Sequence, residues 1–458
     1  MQHIVEYIPD ENCFVARLKR KILDLFQMEN LTVHINLEFS TWLWSHLCNC
    51  SQQWTLFKFI SSMLEKIGKD ITDAQSREHL LEYFSTLIAP QVPGQKETRQ
   101  PTMWDHRFRG MTTNINVKLD LKSTLGFKFD KGAELFEFYR QETKFWSLDI
   151  FAMDQLLGGR ALIVMLQLML EELNLFQLLK IDRCRLLTFA ALLDANYLPN
   201  PYHNQIHGAD VTHAVTRLLQ TKRIRAMTSS VEKFALVVAA AAHDVGHPGV
   251  TNQFLINTSH PLAITYNDIS VLENYHCASV FALMECKGGN IVQDFSTEDR
   301  RIFRRTVINS ILATDMARHA TIVENFGPVV EEITTKDTKP TQAMKDAIFA
   351  CLLHCADLNN PTKELHVYQE WTNRAMREFL WQGAKEADLG LAISPMCDRR
   401  TLAIESVQTA FIDLFVEPLW KLFCGLVTPE FGRLLPQLLE NRKWYASRLA
   451  AKSGNKKD

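Results

Sequence analysis

Along most of this chain apolar residues recur three and four positions apart, and strict two-residue alternation is scarce. ALIVMLQLMLEELNLFQLLK at 161–180 gathers its acidic charge at Glu171 and Glu172, and RCRLLTFAALLDANY at 183–197 repeats the pattern. Both windows predict helices, and the fold class they imply is all-α. From 140 to 447 such windows follow one another with short breaks at LPNPYHN (198–204), TTKDTKP (334–340) and LNNPTK (358–363). This stretch is expected to be one large helical domain, because no internal linker divides it. Within it EDRRIFRR (298–305), with Ile302 and Phe303 embedded among charges, reads as the solvated face of a helix.

Residues 1–110 are expected to form a smaller, mostly helical region with candidates at 13–28 and 53–67. It ends in the proline-rich and charged linker APQVPGQKETRQPT at 89–102. A connecting segment covers 111–139. The partial alternation of GMTTNINVKLDLKSTLGFKFD (110–130) suits a strand or two and an ordered loop equally. Residues 448–458, closing on AKSGNKKD, are expected to be a flexible polar tail.

Composition narrows the partners. With 458 residues, 47% of them hydrophobic, the chain can bury a large core. Its 50 basic residues against 52 acidic ones leave a net charge of −2, which gives no field for holding nucleic acid or an anionic membrane. A small anionic ligand then needs a local positive centre, and a metal ion would serve. Ten scattered cysteines without a CxxC pair argue against a structural zinc site and for reduced thiols in the cytoplasm. The N-terminus places Glu6, Asp10 and Glu11 where a signal peptide needs a basic start and an apolar run. The most apolar runs, at 161–170 and 234–242, are half the roughly 20 residues that a membrane-crossing helix needs, so no transmembrane span is expected.

Candidate chemistry is concentrated in three places. In YHNQIHGAD (202–210), His203, His207 and Asp210 are spaced four and three apart, which on a helix brings them to one face, and Pro199 and Pro201 suit a helix start just before them. In AAHDVGHPG (241–249), His243 ends an apolar run, Asp244 follows at once and His247 comes one turn later. In CLLHCAD (351–357), Asp357 again ends an apolar helical run. Aspartates in such surroundings need a cationic partner, and imidazoles with carboxylates are the usual ligands of zinc, while carboxylates with waters suit magnesium or manganese. Spacing alone leaves open whether the three pieces meet.

The order and spacing of YHNxxHxxD, HDxxHPG, SVLEN (270–274), LATDM (312–316), CADLNNPTK (355–363), ISPMCDR (393–399) and QTAFIDLFVEPLW (408–420) resemble the class I cyclic nucleotide phosphodiesterase catalytic domain over roughly 140–447. The resemblance implies a compact, multi-helix HD-type domain with two divalent cations at the bottom of a pocket. His207, His243, Asp244 and Asp357 would hold the tighter one, usually Zn2+, and Asp244 would reach both. The second, usually Mg2+ or Mn2+, would be held through waters oriented by His247, Glu273 and Thr314. His203 would be the general acid that protonates the leaving 3' oxygen, with Glu273 orienting it. Tyr202, Asn360, Ala375, Met396, Gln408 and Phe411 would bind substrate. Within that set Gln408 would offer its amide to the purine edge, Phe411 would stack on the ring, and Asn360 is typical of the cAMP-preferring branches. Asp210 is better assigned to support of the ligand helix than to the metal.

Two departures stand out from the family's pattern. The family usually has an acidic residue where this chain has Gly246, and isoleucine or valine where it has Ala375, so one wall of the base clamp lacks methyl groups. The implied function is hydrolysis of 3',5'-cyclic nucleotides, cAMP first and cGMP second, to 5'-monophosphates. Two other readings stay open: another HD-type nucleotide phosphohydrolase, and a catalytically silent cyclic-nucleotide-binding scaffold. N-terminal extensions in this family often regulate the catalytic domain or support a homodimer; in residues 1–110 no regulatory module is evident.

Overall fold

The structure, a computed structural model, describes residues 146–454 apart from 337–338 and 428–429. The helical candidates at 13–28 and 53–67, the linker at 89–102 and the alternating segment at 110–130 lie outside the described residues. Among the described residues every regular element is helical, and no single helix is long and apolar enough to cross a membrane.

The chain begins with α1 (Ile150–Leu156), α2 (Ala161–Glu172), α3 (Leu175–Leu178) and α4 (Arg183–Asn196), then α5 (Gln205–Leu219), α6 (Lys222–Met227) and α7 (Ser230–Ala242). Three shorter pieces and one long helix follow: α8 (Asn252–Asn257), α9 (Pro261–Tyr266), α10 (Val271–Met284) and α11 (Thr297–Leu312). Next come α12 (His319–Lys336), α13 (Gln342–Asp357), α14 (Leu365–Asp388) and α15 (Ile404–Phe411). A π turn at Ile412–Val416 leads into α16 (Glu417–Val427), and α17 (Leu434–Gly454) closes the domain.

Helix α7 is the centre of the core. Phe234 to Ala242 are all fully buried, which suits a run of alanine, valine and leucine with no polar side to turn outward. Its start is fixed by a capping box in which Ser229 and Glu232 exchange hydrogen bonds with each other's backbone, and Lys345 answers the Glu232 charge at 3.0 Å. α5 and α11 pack on α7, and α2 packs on α5. Closeness between α5 and α7 depends on Gly208, where a Cβ would lie 2.8 Å from Tyr197 Oη and 3.1 Å from the Ala241 carbonyl oxygen. The candidate motifs sit at the ends of this central layer.

Two boundaries differ from expectation. α5 starts at Gln205 because the Asn204 side chain caps it, accepting from Ile206 N at 2.9 Å and His207 N at 3.4 Å. His203 is therefore outside the helix, and does not share a helical face with His207 and Asp210. At the other end, the flexible tail expected from 448 is helical through Gly454, where Lys452 reaches Glu405 at 2.6 Å and the Arg448 guanidinium lies over the Trp444 ring. As expected, 298–305 presents Glu298, Arg300, Arg301 and Arg304 outward and buries Phe303.

Candidate metal centre and substrate pocket

Three helix ends converge. His207 lies in the first turn of α5, His243 caps the C-terminus of α7 with Asp244 following, and Asp357 is the last residue of α13. His207 Nε2 is 2.9 Å from Asp357 Oδ1, 3.2 Å from His243 Nε2 and 3.4 Å from Asp244 Oδ2. His243 Nε2 is 3.1 Å from Asp244 Oδ2 and 3.2 Å from Asp357 Oδ1. Four atoms each about 2.0–2.1 Å from one tetrahedral cation stand about 3.3 Å apart, so the set fits a bound ion.

Protonation supports that fit. The His243 Nδ1–H donates to the Ala240 carbonyl at 2.9 Å, so Nε2 is the ring nitrogen turned to the centre. Asp244 Oδ2 and His207 Nδ1 are buried without a hydrogen bond. Burial alone would raise the Asp244 pKa, but the imidazoles of His243 and His203 hold it well below the ordinary carboxylate range. Asp357 is lowered as well, by His243 and His207 against its burial. Two carboxylates that stay charged in so dry a place call for cationic charge.

His203 stands beside this set, and its orienting partner was missed in the sequence. Glu378, from α14, accepts a hydrogen bond from the His203 Nδ1–H with one oxygen and from the backbone N–H groups of Tyr202 and His203 at 3.0 and 3.1 Å with the other. The assignment of Glu273 to this task is corrected: Glu273 bonds the Asn252 side chain at 3.0 Å. Burial opposes the charge on His203, yet Glu378 and Asp244 outweigh it and raise the pKa to about 9. Glu378, buried but facing His203, falls to about 2. The His247 ring stacks on His203 at 3.9 Å. Burial and the His203 charge keep His247 neutral, and its Nδ1 accepts from Gly249 N at 3.0 Å, so its proton is on Nε2. The Asn200 amide donates to the carbonyls of His203 and His247 at 2.9 and 2.6 Å, tying the two loops together.

The remaining expected residues spread outward. Asp210 is away from the centre, in a buried ion pair with Lys363 at 3.2 Å; Lys363 also donates to the Trp146 carbonyl at 2.8 Å. Burial and the nearby Asp315 push Glu273 up to about 7. Thr314 turns its hydroxyl to the Ile311 carbonyl at 2.8 Å. His276, absent from the sequence reading, has its Nδ1 2.8 Å from the Val245 carbonyl and its Nε2 3.8 Å from Asp244 Oδ1.

On α14, Tyr368, Trp371, Ala375 and Glu378 form a single stripe, spaced three, four and three apart. Trp371 packs edge-on against Tyr202 and His207. Tyr368, also missed, donates its hydroxyl to Gln408 Oε1 at 2.6 Å. Tyr202 donates to Asn360 Oδ1 at 2.6 Å, and the Asn360 amide nitrogen is 3.3 Å from Asn359 Oδ1. Gln408 is buried, Phe411 and Ala375 are half-buried, and Met396 is 49% exposed.

Residues 202–438 match the family described as 3'5'-cyclic nucleotide phosphodiesterase. The chain is 41% identical to the 3',5'-cyclic-AMP phosphodiesterase 4C of Rattus norvegicus over 82% of its own length and 72% of that protein's. It is 40% identical to the probable 3',5'-cyclic-AMP phosphodiesterase pde-4 of Caenorhabditis elegans over 66% of this chain and 46% of that one, so it spans about half the length of that relative. The crystal structure of the phosphodiesterase domain of a RhoPDE fusion protein from the choanoflagellate Salpingoeca rosetta superimposes with a TM-score of 0.64 at 28% identity, covering 70% of this chain and 99% of that domain. The matched stretch takes in all three converging helix ends, and the chain belongs to the 3'5'-cyclic nucleotide phosphodiesterase family.

Proposed function

We propose that this chain hydrolyses 3',5'-cyclic nucleotides to 5'-monophosphates, with cAMP the preferred substrate. The observation that carries the reading is the meeting of His207, His243, Asp244 and Asp357 beside a histidine, His203, kept cationic by Glu378. The four-residue set suits Zn2+, and Asp244, with waters held by His247 and Glu273, suits a second ion such as Mg2+ or Mn2+. Two such cations supply positive charge to a phosphodiester that otherwise repels its nucleophile, and make a water acidic enough to react.

The chain's own groups do the rest. His203, protonated at neutral pH, gives its proton to the departing 3' oxygen, and Glu378 holds the ring in the orientation that exposes Nε2. Neutral His247 stacks on the His203 ring and adds no competing charge beside it. With Tyr368 bonded to its oxygen, the Gln408 amide keeps an N–H donor and a second acceptor lone pair, a pair complementary to N1 and the 6-amino group of adenine. Phe411 offers its face to the purine. The names of the curated relatives, cyclic-AMP phosphodiesterases, support the same substrate. Ten scattered cysteines without a CxxC pair support a cytoplasmic location.

Purified protein incubated with cAMP or cGMP and Mg2+ should yield the 5'-monophosphate, with the larger kcat/KM for cAMP, and a chelator should stop both. Binding of either nucleotide without any product would instead favour a silent scaffold.

A further inference from the structure

The turn that carries the metal-site residues Asp244 and His247 has an unusual third position. Gly246 is in the left-handed region, with φ +76°, and the ring of Tyr275 from α10 lies directly against it. A Cβ at 246 would be 2.9 Å from both Tyr275 Cε1 and Oη, and 3.2 Å from Cζ. No side chain fits there while the ring holds its place. The next residue of α10, His276, holds the preceding carbonyl of the turn, Val245 O, at 2.8 Å. Two consecutive residues of one helix thus grip two consecutive residues of the turn. The turn itself is closed by His247 N donating to Asp244 O at 3.0 Å, so its two functional ends move together.

We propose that Tyr275 is a positioning residue for the second cation site, and that it and Gly246 act as one unit. The tyrosine ring takes the volume a side chain at 246 would fill, and holds the turn so that Asp244 and His247 face the same ion. α10 also carries Glu273, so one rigid helix registers three contributors to that site. This rests on the two-cation reading above.

Equilibrium binding of Mn2+, followed by the loss of the free-ion EPR signal, tests it without relying on turnover. The wild type should bind two ions per chain; fewer would overturn the two-cation reading itself. With two bound, Tyr275→Ala should weaken the looser site roughly 10–100-fold, the range of lost outer-shell support, and spare the tighter one. Tyr275→Phe keeps the ring and should stay within about twofold. Gly246→Ala should weaken the same site. In the double variant the collision is relieved and only the strain of an alanine at φ +76° remains, so the combined loss should fall short of the product of the two singles. Wild-type binding by Tyr275→Ala, or single effects that multiply in the double variant, would overturn the proposal. Should Tyr275→Ala not fold, Tyr275→Leu, which fills space without a ring, gives the same comparison.

Discussion

At one end of the site, four candidate ligand atoms from three helix ends lie within 4.8 Å of one another, and His203, the proposed general acid, is held by a buried carboxylate. At the base end Gln408 is held by the Tyr368 hydroxyl, Met396 is half exposed, and Ala375 offers one methyl group. α15 passes directly into a π turn there, a local widening that often marks functional sites. The first region fixes each group through several partners at once, and the second through one or none. Bond making at phosphorus tolerates little displacement of a proton donor or a cation. Purine binding in an apolar slot tolerates a looser fit, because each methylene there is worth only about 1–3 kcal/mol of discrimination.

The largest break in that comparison should come from the chemical end. Asp357→Ala should lose the tight metal, read by elemental analysis, and activity by roughly 10³-fold or more, since such ions supply several kcal/mol of charge stabilisation. His203→Ala should keep its metal and lose about 10²–10⁴ in kcat, the usual share of a general acid. A normal rate for His203→Ala would remove it from the mechanism.

Glu378→Gln should be milder but more telling. A pKa of about 9 keeps His203 protonated at neutral pH, so kcat should fall only as pH rises through that value. Without the Glu378 carboxylate, burial is opposed only by the charges of Asp244 and Asp357, so the His203 pKa and with it the alkaline limb should move down. An unmoved limb would mean that another group titrates. The smallest effect is expected at the base end. Ala375→Ile adds methyl groups to a half-buried wall, and at about 0.8 kcal/mol per buried methylene should lower KM for cAMP about threefold to tenfold. An unchanged or raised KM would show that the wall is already in contact.

The comparison also explains what could be read from sequence. Apolar runs that end abruptly in histidine and aspartate, at 243–244 and 357, announce buried charge, and each does come to the centre. Glu378 carries no such mark. It lies 175 residues from His203, on a helix dense in ordinary charges, and only the fold shows that it lines the stripe with Tyr368 and Trp371. Placing His203 on the ligand helix failed because Asn204 caps that helix, a competition between side chain and backbone that periodicity ignores. Gly246 was legible as a departure, but its tyrosine partner was not, because packing across two elements leaves no trace in local spacing.

Lys363 offers a practical consequence. Its buried ammonium is shared between Asp210 on the ligand helix and the carbonyl of Trp146, while the Trp146 indole N–H donates to Thr362 at 2.8 Å. A shortened protein that begins after Trp146 would leave that cation with one partner fewer in a dry pocket behind the loop that carries Asn360. A backbone oxygen therefore sets a threshold for the fold: a protein starting at Ser147 should melt at a lower temperature than one starting at Trp146.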